Sequence, residues 1–189
     1  TLLADALPTM SVGERSRAYT WAGAMAARIE LNGGEVARRH APLMSPRLAE
    51  ERARNELAFF VVHDVANRRK LTDSTLLFEL GTVLDHISSK VSLPDASFAH
   101  RDFHSRNLML QQDGSLALLD FQDALFAPPF YDLVSLLFDP YVPLSERIRD
   151  EASAAYTGVM GQSLDALDNP VLLWVALQRL LKAIGTYAF

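Results

Sequence analysis

Asp102, Asn107 and Asp120 are the residues of this chain best equipped for chemistry. The first two stand in the run His100-Arg101-Asp102-Phe103-His104-Ser105-Arg106-Asn107-Leu108-Met109-Leu110. The third stands in Leu118-Leu119-Asp120-Phe121-Gln122-Asp123. An Asp five residues before an Asn, with a second Asp closing an apolar run, is hard to explain as core packing. It matches the needs of phosphoryl transfer, which are an oriented hydroxyl and cations that bridge the phosphates. A carboxylate beside the hydroxyl accepts its proton, and Asp102 is the candidate. Magnesium prefers hard oxygen ligands and keeps some of its waters. The Asp120 carboxylate and the Asn107 amide oxygen suit it. The pattern points to ATP and Mg2+.

Elements must bring these residues together. Leu108-Met109-Leu110 and Leu116-Ala117-Leu118-Leu119 flank Asp113-Gly114, a strong hairpin signal. Asp102 and Asn107 enter this hairpin and Asp120 leaves it, so folding brings both ends to one cleft. The rest reads as helical. Ser11 and Glu14 have capping-box spacing for a helix over about 11–31, with Trp21, Met25 and Ile29 on one inward face. Asn32-Gly33-Gly34 stops that helix, and 35–46 is loop. A second helix runs from about Pro46 to Lys70, with Pro46 in its first turn. A third covers about 72–91, capped by Asp73 or Thr72, with Leu76, Leu77, Leu80, Leu84 and Ile87 inward. Further helices are expected over about 131–138, 144–160 and 170–184. Leu2-Leu3-Ala4 reads as strand-like.

Composition narrows the function. The 189 residues suit one sizeable core, and 49% apolar content marks a globular chain. A net charge of −5 and the lack of a Lys/Arg block argue against nucleic-acid binding. There are no cysteines, which removes disulfides and thiolate metal sites. No basic leader stands at the start, and no apolar run is read as the roughly 18–20 residues that cross a bilayer. No membrane partner and a cytoplasmic location are the expectation; oligomeric state stays open.

The motif His-Arg-Asp-x-x-x-x-Asn followed by Asp-Phe-x resembles the catalytic and metal-binding loops of the protein-kinase-like superfamily. HRDFHSRNLML, LLDFQDALFAPPFYDLVSLL and LQRLLKAIG are similar to the aminoglycoside phosphotransferase/choline kinase branch. Within it they look like bacterial N-acetylmuramate/N-acetylglucosamine 1-kinases. The resemblance implies an α+β fold: a protein-kinase-like C-terminal lobe, mostly helical, whose small β-hairpin carries the catalytic and metal loops. Residues 1–189 would form this lobe, with about 1–8 as the hinge from an N-terminal lobe that the chain lacks. Gly33-Gly34 lacks the spacing of a phosphate-covering loop, and no lysine falls on a convincing strand.

The resemblance also implies roles. Asp102 is the base, and Asn107 and Asp120 hold magnesium. His104 and Arg106 bind substrate, or are solvated loop residues. His100, Arg101 and Asp132 support the loop, with Asp132 equally suited to cap a helix. Ala4 and Asp5 in the hinge contact the nucleotide. Gln122 departs from the Gly or Ser common at that position, which speaks against flipping of the metal loop. Glu56 could reach the cleft but is read as a solvated helix position, Arg179 and Lys182 as a solvated helix face, Asp123 as structural or solvated rather than a metal ligand, His40, His63 and His86 as surface, and Trp21 and Trp174 as core. The implied substrate is a small molecule, an amino sugar phosphorylated at its anomeric hydroxyl. An aminoglycoside or choline-type acceptor, and a non-catalytic binding module, remain the alternatives.

Overall fold

The computed structural model describes residues 1–40, 47–92 and 96–189. Expectations for Pro42, Pro46 and the His40 side chain lie outside what it describes. Seven α-helices are seen among the described residues: α1 (Leu3–Ala6), α2 (Val12–His40), α3 (Glu50–Phe60), α4 (Ser74–Lys90), α5 (Tyr131–Leu137), α6 (Glu146–Met160) and α7 (Pro170–Ala188). Four short strands, β1 (Ser97–Ala99), β2 (Leu108–Leu110), β3 (Leu116–Leu118) and β4 (Leu125–Ala127), pair as two antiparallel ribbons, β2 with β3 and β1 with β4.

The β2–β3 hairpin forms as its sequence dictates. Leu108 faces Leu118 and Leu110 faces Leu116. Gly114 takes φ +81°, and Asp113 accepts hydrogen bonds from the Ser115 amide and hydroxyl. The β1–β4 ribbon, with Ser97 opposite Ala127 and Ala99 opposite Leu125, has no signal in the sequence reading. Of the strand-like start, only Leu2 behaves so, in a bridge to Met109; the chain coils into α1 at Leu3.

Helix α2 starts where expected. The Ser11 amide and hydroxyl donate to Glu14 at 2.8 and 2.7 Å. It does not stop at Gly33-Gly34 but continues to His40. A Cβ at Gly33 would lie 2.3 Å from the Phe98 ring, so this glycine lets β1 approach the helix. Nor does Trp21 face inward; it is 44% exposed, while Ala18, Tyr19, Ala22, Ala26 and Ala27 are buried. Gly23 shows why: a Cβ there would sit 2.2 Å from the Ala152 carbonyl oxygen of α6. Two helices this close accept only small residues at the contact.

The expected 46–70 helix is α3 running into a π-helical turn, Val61–Arg68. Buried Asp64 closes it by accepting from the guanidinium groups of Arg68 and Arg69. Asp73 caps α4 by accepting from the Leu76 amide at 2.8 Å. Leu84 and Ile87 pack on Leu57 as expected, but Leu76 is exposed. Helix α7, capped by Asn169, has the length and mean hydropathy (1.2) at which a helix can cross a bilayer, contrary to expectation. In the fold it lies against α3, α4 and α5, burying Val175, Ala176 and Gln178.

Candidate active site

Two crossings between the ribbons build the site. Residues 100–107 lead from β1 to β2, and residues 119–124 lead from β3 to β4. Because both join the same pair of ribbons, Asp102 and Asp120 come together although far apart in sequence. The Leu119 amide donates to the Asn107 carbonyl at 2.9 Å and ties the crossings to each other. Asp102, Asn107 and Asp120 line one cavity of about 410 Å³. His104 and Arg106 line it too, as do Tyr141, Arg179, Lys182, Thr186 and Tyr187.

The chemistry of the oxygen donors is specific. The Asn107 side-chain amide donates to the Asp102 carbonyl at 3.0 Å, which leaves the amide oxygen free. Among the described residues, no hydrogen bond or ion pair engages the carboxylates of Asp102 and Asp120. Among the described residues, no group of three or more His, Cys, Asp or Glu is placed to hold a metal ion by itself. A cation here would complete its shell with the amide oxygen, water and ligand oxygens, which suits a hard ion such as magnesium. Asp120 takes φ +61° and Arg101 φ +81°, left-handed conformations unusual for non-glycine residues. Such strain persists only where the surroundings impose it, and it concentrates at functional sites.

Two buried aspartates impose the loop's shape. Asp132 accepts from the His100 and Arg101 amides at 2.7 and 2.9 Å. Asp139 accepts from the Ser105 and Tyr141 amides at 2.7 and 2.8 Å. Asp132 does not cap α5; Phe130 holds that position at φ +68°, and its amide donates to Glu30 of α2 at 3.1 Å. Burial pushes the Asp132 carboxyl up to about 7, against the pull of the two amides. Burial also raises Glu30, which the Tyr156 hydroxyl and the Phe130 amide oppose. His100 is buried beside Asp102 and Asp120; desolvation lowers its pKa, and the Leu119 backbone and the two carboxylates resist this.

Arg101 is locked rather than solvated. Its guanidinium pairs with Glu56 and lies 3.5 Å from Asp123, and its carbonyl accepts from Arg179 at 2.7 Å. Gln178 donates to the other Glu56 oxygen at 2.8 Å. The reading of Glu56, Arg179 and Lys182 as solvated is therefore wrong: α3 and α7 turn these residues toward the loop. A signal was present, since Arg179, Lys182 and Thr186 recur at helical spacing on a mostly apolar helix. Asp139 had one too, seven residues after Asp132 on the same run. Tyr141 and Tyr187 had none. His63 is half-buried, with Phe59 and Phe189 rings against it, while His86 is exposed beside Trp174.

Around the mouth, the Arg106 guanidinium lies 4.0 Å over the Tyr141 ring, which meets His104 at 5.0 Å and Tyr187 at 6.0 Å. Burial lowers His104, opposed by Asp139 and Asp102. Ala4 and Asp5 are not part of this cavity. The Ala4 amide donates to the Ser105 carbonyl at 3.1 Å. Asp5 lines a second cavity with Thr1, Thr9 and Gln111.

A family model described as the phosphotransferase enzyme family matches residues 2–168. A Neisseria meningitidis serogroup B protein named N-acetylmuramate/N-acetylglucosamine kinase is 41% identical over 101 residues, 48% of this chain and 29% of that protein. One of the same name from Pseudomonas aeruginosa is 37% identical over 99 residues, 48% of this chain and 28% of its own length. Another, from Caulobacter vibrioides, is 38% identical over 71 residues, 35% of this chain and 20% of its own length. The matched stretch thus spans less than a third of each relative. With a family match covering most of its length, the chain belongs to the phosphotransferase enzyme family.

Proposed function

We propose that this chain carries the catalytic loops of a cytoplasmic kinase that moves the γ-phosphate of ATP to the anomeric hydroxyl of N-acetylmuramate or N-acetylglucosamine, serving cell-wall recycling. The observation that carries the reading is the convergence of Asp102, Asn107 and Asp120 on one cavity. The names of the matched relatives support an amino-sugar acceptor. Residues 1–189 act as the C-terminal lobe, with the first eight or so leading from the lobe that covers the nucleotide.

Asp102 takes the proton of the sugar hydroxyl as its oxygen bonds to the γ-phosphorus, the bond from that phosphorus to the bridging oxygen breaks, and ADP leaves. Asn107 and Asp120 would hold magnesium, which would supply positive charge against the phosphates. Asp132 and Asp139 keep the loop from shifting, because they fix four backbone amides on and beside it. His104, Tyr141 and Arg106 present polar and aromatic surface to the acceptor. Arg106, Arg179 and Lys182 make the wall unfavourable to a polycationic aminoglycoside or to choline.

The test is magnesium-dependent ADP release by the full-length protein with N-acetylmuramate, N-acetylglucosamine, choline and an aminoglycoside. Phosphorus NMR of the product should show a sugar 1-phosphate. Turnover only with choline or the aminoglycoside would refute the acceptor assignment. Nucleotide binding without turnover on any of the four would favour a non-catalytic module. The isolated 189-residue chain should turn over negligibly.

A further inference from the structure

We infer that Lys182 is a specificity-determining residue that favours an acceptor bearing a carboxylate, a refinement that rests on the proposed amino-sugar kinase reading. Three cationic side chains line the cavity, and they are not equivalent. Arg179 is committed to the fold: it donates to the Arg101 carbonyl, and its guanidinium lies 4.8 Å over the Tyr131 ring. Arg106 is exposed and stacked on Tyr141. Lys182 is half-buried on α7, and its ammonium makes no hydrogen bond or ion pair with any described residue.

Two carboxylates act on Lys182, Glu56 more strongly than Asp102, and Asp102 is assigned to the acceptor hydroxyl. Glu56 exerts the largest favourable charge effect on Lys182, yet one of its oxygens serves Arg101 and the other Gln178. Burial lowers the Lys182 pKa against the pull of Glu56 and Asp102, and neither carboxylate forms an ion pair with the ammonium. A desolvated ammonium is stabilised by an anion that arrives with the ligand.

Two ligand anions are conceivable, a nucleotide phosphate and an acceptor carboxylate. Asn107 and Asp120, on the crossings beside the β2–β3 hairpin, mark the metal and phosphate side. Lys182 sits one helical turn before Thr186, on the α7 wall that also carries Tyr187 and meets Tyr141. A sugar lying on this aromatic pair, with its hydroxyl at Asp102, would fill the cavity whose wall Lys182 forms. N-acetylmuramate differs from N-acetylglucosamine by a lactyl ether that ends in a carboxylate. Lys182 supplies a donor for that group, which the neutral sugar leaves unused.

The experiment compares kcat/KM of the full-length protein for N-acetylmuramate and for its methyl ester, which keeps the shape and removes the charge. Wild type should prefer the acid by about 10–100-fold, the range for one charge-assisted hydrogen bond. Lys182→Met should bring the ratio near one by raising KM for the acid, and Lys182→Arg should keep most of the preference. A wild-type ratio near one overturns the inference. So does a ratio that survives in Lys182→Met, or a loss that falls on KM for ATP. Absence of turnover on any amino sugar overturns the parent reading as well, so the two failures are distinct.

Discussion

Replacing Asp132 by Asn removes a titrating carboxyl and almost no volume from beneath the 100–107 loop. The wild-type carboxyl titrates at an ordinary 3.8 when unfolded and at about 7 when folded, because burial penalises the anion. Below the lower value both states hold the proton and nothing differs. Between the two, the folded state holds a proton that the unfolded state has lost. Stability from this group then falls as pH rises, by about 1.4 kcal/mol per pH unit. Across the window the loss reaches about 4 kcal/mol, and above about 7 the fold carries the anion at full cost. Asparagine does not titrate. Its one oxygen serves a single amide of the His100–Arg101 pair and leaves the other facing an NH2 group, a pH-independent cost of about 1–3 kcal/mol. Urea unfolding followed by circular dichroism at several pH values from 4.5 to 8 should therefore show Asp132→Asn as the less stable protein in acid. As pH rises the gap should close and then reverse by about pH 7, because the wild-type loss of about 4 kcal/mol exceeds the cost of asparagine, and it should level off above that. Parallel curves across this range would refute the reasoning, since they would mean that Asp132 does not change its proton between the two states there.

Further outcomes follow from the same geometry. Asp102→Asn should lower kcat about 10²–10⁴-fold with KM for ATP nearly kept, measured by coupled ADP release; full turnover would end the base assignment. Asp120→Gly should abolish turnover yet raise the unfolding free energy by about 1 kcal/mol, because glycine adopts φ +61° without strain. A drop in thermal stability would count against that strain. Glu56→Ala should cost about 3–5 kcal/mol in chemical denaturation, since it leaves the buried Arg101 charge with only Asp123 at 3.5 Å. A cost below 1 kcal/mol would show that water reaches Arg101.

The helices and the hairpin were legible because their signals are local. Ser11 with Glu14, Asp73, and Asp113-Gly114 each satisfy backbone groups within a few residues, so neighbours alone decide them. Gly33 and Trp21 misled for the opposite reason. A glycine in a helix reads as a stop unless a strand presses on it, and a tryptophan reads as core unless a neighbouring helix comes too near to admit it. Both facts are tertiary. The β1–β4 ribbon was invisible because each strand has three residues and its partner lies across two other strands.

The same division runs through the site. The groups proposed for the chemistry, two carboxylates and an amide at fixed spacing, could be picked out in the sequence, because residue type and order along one hairpin need no distant partner. What holds and surrounds them was decided only by folding. Asp139 became a clamp, Glu56 and Gln178 a lock on Arg101, and Lys182 an unpaired charge, because α3, α5 and α7 converge on one loop from far along the chain. Residue type states what a side chain is able to do. Burial and the identity of its neighbours, which are properties of the packed chain, decide whether that capacity is used by the fold or left for a ligand.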